Sequence, residues 1–396
     1  MDRESSPPTE QPGRLSWNDP RLRALVFQAV FLLALVALFG DILLNTLANM
    51  ESRGISTGFS FLSSEAGFGI IQTLIPYSET SSFGRTFVVG LLNTLLVSLL
   101  GILLATVLGF AIGVARLSGN WLVARLAAAY IEVFRNIPLL LQIFFWYFAV
   151  LRALPLPRDS LSLEDLVFLN LRGLYLPRPI AEPGFGLVIA GLAVGLVAAS
   201  LLARWAHRRH ALTGQPFALV PAAMLLALGL PAAVFLLVGS PLSWELPELR
   251  GFNFRGGITV IPELAALLLA LSIYTAAFIA EIVRAGIQSV PKGQTEAAAA
   301  LGLRRGRILS LIVIPQALRV IIPPLTSQYL NLLKNSSLAT AIGYPDLVNV
   351  FAGTTLNQTG QGVEVIAMTM AVYLSVSLVI SLLMNWYNAR KAVPAH

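Results

Sequence analysis

The chain has 396 residues, 56% of them apolar and only 12% charged, with a mean hydropathy of +0.76. Soluble proteins carry roughly 25% charged residues, and a chain this apolar buries itself rather than remaining disordered. Without a Gly-x-x period or heptads it is neither collagen nor coiled coil, which leaves an all-α polytopic membrane protein whose formal net charge of +7 is informative through its placement.

A helix needs about 20 apolar residues to cross roughly 30 Å of hydrocarbon, so long stretches nearly free of charge mark the spans. About eight transmembrane helices are expected, at 24–43, 86–114, 122–152, 185–204, 217–239, 262–284, 312–333 and 363–388. Residues 1–23 have the composition of a flexible tail; they mix four arginines with four acids, and no small-x-small cleavage site follows. The first span therefore reads as an N-terminal anchor rather than a signal peptide. Loop 44–85 is interrupted by Gly54, Gly58, Gly67 and Gly69 and reads as a connector. Residues 153–261 form an insertion: a segment rich in proline (Pro155, Pro157, Pro177, Pro179, Pro183), then a hairpin of two spans joined through Arg208-Arg209-His210. With almost nothing ionisable to hold a solute, the hairpin reads as lipid-facing scaffold. The chain ends in a short tail, 389–396.

If the N-terminus lies in the cytoplasm, 16 of the 27 basic residues fall on or beside the inner side and 9 on the outer side, where 12 of the 20 acids also fall. The positive-inside rule supports this orientation, with both termini cytoplasmic. The basic excess is then topology and not a nucleic-acid surface, since no basic cluster is interleaved with stacking aromatics.

Several chemistries are missing. Zero cysteines and three histidines (His207, His210, His396) leave no thiolate nucleophile and little for a metal site. No G-x-x-x-x-G-K-[ST] occurs, so the chain does not cradle and hydrolyse ATP itself. H-E-x-x-H and G-x-S-x-G are absent, and Gly184-Phe185-Gly186 lacks the third glycine of a dinucleotide fingerprint. No catalytic residue, cofactor or metal is expected.

Charges within spans need a reason, because they are costly there. Glu132 and Arg135, three apart on one helix face, are expected to pair with each other; alternatively they border a solute pathway together with Asn136 and Gln142. Pro323 and Pro324 are expected to break the ladder of the seventh span, and Gln328, Tyr329, Asn331 and Lys334 just beyond are candidate pore-lining groups. Glu281 and Arg284 stand at the inner end of the sixth span, as anchors for the loop that follows.

That loop carries the strongest signal. In 290–315, Pro291 and Gly293 end a span, Thr295-Glu296 supply a polar helix start, and four alanines continue it. Gly302 permits a sharp turn before a second short helix from Arg304. The four alanines give a smooth helix surface suited to docking into a groove on another protein. The order Glu296-Ala297-Ala298, three residues, Gly302, nine residues, Ile312-Val313-Ile314-Pro315 resembles the EAA-x3-G-x9-I-x-L-P loop of permease subunits of ATP-binding-cassette importers, with Ile314 in place of Leu.

The resemblance narrows to the polar amino acid permeases, the histidine/glutamate/glutamine/arginine group. It is carried by Phe134-Arg135-Asn136-Ile137-Pro138-Leu139-Leu140-Leu141-Gln142, by Ala280-Glu281-Ile282-Val283-Arg284-Ala285-Gly286-Ile287, and by Pro315-Gln316-Ala317-Leu318-Arg319. Pro323-Pro324-Leu325 and Leu333-Lys334-Asn335-Ser336-Ser337-Leu338 add to it, although Asn335-Ser336 stands where many members have Asp-Thr. These stretches place a five-span permease core at 86–152 and 262–388. With its anchor and inserted hairpin, the chain is similar to the longer permeases of broad-specificity L-amino acid importers, including those for glutamate, glutamine, aspartate and asparagine.

The resemblance implies a bacterial inner-membrane permease for polar L-amino acids, working with ABC ATPase subunits, a second permease subunit and a periplasmic amino-acid-binding protein. It implies that Glu296, Ala297, Ala298, Gly302, Ile312 and Pro315 belong to the ATPase-coupling loop. Two rival readings remain: an ion-coupled secondary transporter in which Glu132 takes up a proton, and a non-transporting scaffold or channel.

Overall fold

The computed structural model describes residues 20–52, 57–215 and 217–391. Most of the two expected tails, and part of loop 44–85, lie outside the described residues. Helix α1 (Pro20–Ser52) contains the anchor and leaves Leu25, Phe27, Phe31 and Leu33 exposed, as suits a helix that is apolar all round. After a 3-10 turn at Ser60–Ser63, Ser82 caps α2 (Phe83–Arg116), its side chain accepting from the Arg85 N–H. Next come α3 (Trp121–Asn136) and α4 (Leu139–Phe144), the latter continued by a π-helical stretch at Phe145–Val150.

The insertion begins with β1 (Leu161–Leu163), β2 (Val167–Asn170), β3 (Gly173–Leu176) and β4 (Arg178–Ala181). Its hairpin consists of α5 (Phe185–Thr213), α6 (Leu219–Met224) and α7 (Leu230–Leu237). It closes with β5 (Leu242–Glu245), β6 (Glu248–Arg250), β7 (Asn253–Arg255) and β8 (Ile258–Val260). The second part of the core is α8 (Pro262–Gln288), α9 (Lys292–Ala300), α10 (Arg305–Ile308), α11 (Ile314–Asn335), α12 (Leu356–Thr359) and α13 (Gly362–Lys391). Among the described residues seven helices are long and apolar enough to cross a membrane, or eight if the bent pair of α3 and α4 is one span.

Small residues build the centre. On α2, Val97, Gly101, Ala105, Gly109 and Gly113 recur every fourth position and are all buried. A Cβ on Gly109 would lie 2.6 Å from Ile279, and one on Gly113 would lie 2.7 Å from the Ala280 carbonyl oxygen. Gly101 faces Leu332 of α11, and Gly286 of α8 meets Ile321. Without such close approach the three helices would lose contact, because in lipid it is packing rather than the hydrophobic effect that holds helices together.

Two features depart from the sequence reading. The third expected span, 122–152, is bent by 105° between α3 and α4. Pro138 offers no N–H and drives Ile137 out of the helical region, to φ −90° and ψ 126°. Among the described residues the helical body also carries eight short strands, in antiparallel sheets of order β1-β2-β3-β8, β4-β5 and β6-β7. Pairs such as Tyr175 with Thr259 and Arg178 with Glu245 stitch the two flanks of the hairpin together. Strands of three or four residues among prolines are too short to show a period of two.

Candidate functional site

The coupling loop is shaped by its own backbone. Pro291 precedes the first turn, so α9 starts at Lys292, three residues before the polar start expected at Thr295. Glu296 therefore lies mid-helix, where it is exposed. Ala297, Ala299 and Ala300 are exposed as well, whereas Ala298 is 3% exposed and turned into the core. The helix closes with two reverse bonds, Leu303 N–H to Ala298 O at 3.2 Å and Gly302 N–H to Ala299 O at 2.9 Å. This is the Schellman closure, which requires a left-handed residue after the last turn. Gly302 supplies it at φ +75°, with open space where a Cβ would stand. Leu301, 82% exposed, projects beside the alanine surface.

Beyond Gly302 the chain returns to the core. Ile308 and Val313 are buried and Ile312 packs against them at partial burial. A π-helical stretch at Leu309–Val313 precedes Pro315, which has no N–H for the carbonyl four residues earlier. The Gln316 amide donates to Gln294 Oε1 and, at 3.1 Å, to Ile312 O, tying α9 to α11. Lys292, Arg304, Arg305 and Arg307 are exposed around this surface, and a cleft of about 630 Å³ lined in part by Leu117, Ile287, Thr295 and Leu309 opens beside it.

At this end of the helices, α2, α3 and α8 bring Arg116, Glu132, Arg135, Glu281 and Arg284 around a cavity of about 320 Å³. The expected Glu132–Arg135 pair does not form. Among the described residues no ion pair includes either group; Arg135 instead lies over the Phe278 ring, 5.0 Å from its centroid. Glu281 and Arg284 do pair, at 2.5 Å and half-buried, on consecutive turns of α8. Asn136 donates to the Glu132 carbonyl at 2.7 Å. Gln142, 4% exposed, donates at 3.0 Å to both the Phe134 and Ile137 carbonyls. It satisfies backbone groups freed by the bend at Pro138, while its own Oε1 is buried without a hydrogen-bond partner.

The path of α11 continues as helix through Pro323 and Pro324, but neither proline has an N–H for the Arg319 and Val320 carbonyls four residues earlier, so the ladder lacks those two rungs as expected. Beyond them Ser327, Asn331 and Lys334, four and three residues apart, fall on one exposed stripe, with Gln328 half-buried beside it. Tyr329 turns away from that stripe to meet Thr106 of α2 at 2.9 Å. A polar tie absent from the sequence reading holds the segment after α11 on α2. Asn93 Nδ2 donates to Pro345 O at 2.8 Å, Tyr344 donates to Asn93 O at 3.2 Å, and the Leu347 N–H donates to Thr94 Oγ1 at 3.0 Å. Buried Asp346 accepts from the Asn349 N–H at 2.8 Å. Asn93-Thr94 within an otherwise apolar span was the available signal.

Residues 101–393 match the family described as binding-protein-dependent transport system inner membrane component. YhdX of Escherichia coli (strain K12), provisionally named an amino-acid ABC transporter permease protein, is 58% identical over 381 residues, covering 96% of this chain and 97% of its own. The general L-amino acid transport system permease protein AapQ of Rhizobium johnstonii is 52% identical, over 96% of this chain and 95% of its own. The glutamate/glutamine/aspartate/asparagine transport system permease protein BztB of Rhodobacter capsulatus is 45% identical, over 93% and 94%. The family match covers most of the chain and the three relatives match it almost end to end: this protein belongs to the family of binding-protein-dependent transport system inner membrane components.

Proposed function

We propose that the chain is one of two permease subunits in an ATP-binding-cassette importer that carries polar L-amino acids across the bacterial inner membrane. The observation that carries this reading is α9, a helix held to α11 at one side while Glu296, Ala297, Ala299, Ala300 and Leu301 stay exposed. Small side chains let a partner's groove approach the backbone, and Leu301 and Glu296 offer one apolar and one charged anchor. The partner on α9 is an ABC ATPase subunit, which supplies the ATP hydrolysis. The exposed Ser327, Asn331 and Lys334 stripe of α11 faces the second permease subunit, the two enclosing the pathway. A periplasmic amino-acid-binding protein delivers the cargo to the end bearing the sheets. The names of AapQ and BztB support the substrate class.

In this reading the tails and α9 are cytoplasmic and loop 44–85 and the sheets periplasmic. Residues 86–152 and 262–388 form the permease core, and 153–261 an insertion. Single cysteines introduced into the cysteine-free chain should react with an impermeant reagent at Ser81 and Ser243 and stay unlabelled at Ser118 and Thr213; the reverse pattern overturns the orientation.

Coupling is tested by co-purification of the ATPase and by ATP-driven uptake in proteoliposomes. Glu296→Ala should leave folding intact, an exposed mid-helix carboxylate contributing a few tenths of a kcal/mol, yet weaken recruitment, since charge pairs at an interface can be worth several kcal/mol. Gly302→Val should weaken recruitment by another route: a left-handed backbone costs a residue with a Cβ roughly 1–2 kcal/mol, which displaces the loop. Uptake by wild-type protein without any ATPase, driven by a proton or sodium gradient, refutes the reading.

A further inference from the structure

At the opposite end of α8 from α9 lies a cleft of about 640 Å³, walled by loop residues 71–73, Tyr147 and Arg152 beyond α4, the β2–β3 turn, and strands β3, β7 and β8. Within it Tyr147 donates to Glu263 Oε1 at 2.8 Å, and Arg152 Nη2 donates to the Tyr147 oxygen at 3.1 Å while lying over its ring. That chain of contacts ties the bent pair to the first turn of α8, and structure alone would explain it. It employs one of Arg152's five donors and one oxygen of Glu263. Arg172 lines the same cleft, its guanidinium donating one hydrogen bond, to Phe252 O at 3.2 Å. Among the described residues neither arginine forms an ion pair. Gln72 Oε1 is buried at the cleft without a hydrogen-bond partner. Tyr175 hydrogen-bonds Asn253 at 2.9 Å, and burial, opposed by nearby Arg172, raises its phenol above the ordinary range.

We propose that this cleft is an outward-facing subsite for an α-amino acid, one or both guanidiniums taking carboxylates and Glu263 with Gln72 taking the ammonium. This rests on the importer reading. Guanidinium forks fit planar carboxylates, while the two acceptor side chains complement a cation. Two arginines against one glutamate leave the cleft net positive, so an acidic amino acid binds more tightly than a basic one. The volume lies within the range of small-molecule pockets and leaves room for bridging water. The subsite would hold cargo between release from the binding protein and entry to the pathway.

The test uses the assembled transporter, both permease subunits and the ATPase, in detergent without binding protein, with radiolabelled L-glutamate as probe. Wild type should bind it saturably, and more tightly than L-lysine. Arg172→Gln, on an exposed turn between β2 and β3, should weaken binding roughly tenfold or more, the range of a lost charged hydrogen bond, and Arg172→Lys should recover part of it. Glu263→Gln should weaken L-glutamate but leave glutarate, which has the same carboxylates and no ammonium, unaffected. The proposal is overturned if wild type binds no L-glutamate at millimolar concentration, if both Arg152→Gln and Arg172→Gln bind it like wild type, or if Glu263→Gln changes both ligands equally. Should ATP-driven amino-acid uptake persist in those cases, the importer reading stands and the subsite alone fails; absence of any such uptake by wild type removes the importer reading instead.

Discussion

The α2–α8 contact and the α5–α7 hairpin use the same device to different ends. Both rely on glycine spaced by four residues, Gly109 and Gly113 in the first, Gly191 and Gly195 in the second. In the core, 61% of the apolar stretch of α8 is buried, whereas in α5 the figure is 11% and Leu187, Ile189, Val194 and Val197 remain exposed. Close approach in the core connects three helices and, through α8 and α11, the α9 loop. In the hairpin it joins two neighbours whose other faces are, among the described residues, mostly exposed. The same motif therefore marks tight packing in either setting, and only the surrounding contacts decide whether anything depends on it.

Inserting a side chain at each position breaks the comparison most sharply. Gly113→Val drives a branched side chain into the Ala280 carbonyl and Val283, and overpacking of this kind costs about 1–3 kcal/mol or more. We expect little folded protein by size exclusion and no ATP-driven uptake. Gly195→Val collides with the Leu226 carbonyl just as directly, but the hairpin should splay while the core folds and uptake persists. Equal loss from the two substitutions would show that the hairpin is integral to transport.

The next effect concerns the bend, where the core gives up helix continuity that the hairpin keeps in α5. Gln142→Leu removes the amide that serves the Phe134 and Ile137 carbonyls. Leaving these partly buried backbone acceptors unpaired costs up to about 1 kcal/mol each, so thermal stability should fall, with uptake falling in proportion. Normal stability with abolished uptake would restore Gln142 to the solute pathway.

What the sequence made legible follows from how local each feature is. Spans are visible because apolar length is a property of a single segment, and the loop at Glu296 to Pro315 because its turn, cap and helix start lie within twenty residues of one another. The 105° bend was signalled by Pro138, yet the apolar run on both sides concealed it. The β strands escaped notice because their partners lie across the hairpin, as Leu174 does from Val260. Glu132 and Arg135 share a helix face without pairing for a related reason. Spacing along a helix says that two side chains can meet, but not that Phe278 on another helix offers one of them a face.

The unpaired Glu132 and Arg135 give the smallest and most discriminating measurement. If Arg135 rests on Phe278 and Glu132 has no ion-pair partner among the described residues, their charges act independently. The double-mutant cycle of Glu132→Ala and Arg135→Ala should then give a coupling energy near zero, read from thermal unfolding of the purified protein. Glu281 and Arg284, three residues apart like the first two, are joined at 2.5 Å and are about 30% exposed. Their cycle should give a coupling of about 0.2–0.5 kcal/mol, the value of a helical pair at that spacing, larger at low salt and reduced as screening increases. The comparison isolates tertiary context, since composition and spacing are alike in both pairs. A larger coupling for Glu132 with Arg135 would mean that the two charges meet after all when the protein is embedded in lipid, and that the cavity between α2, α3 and α8 closes around them.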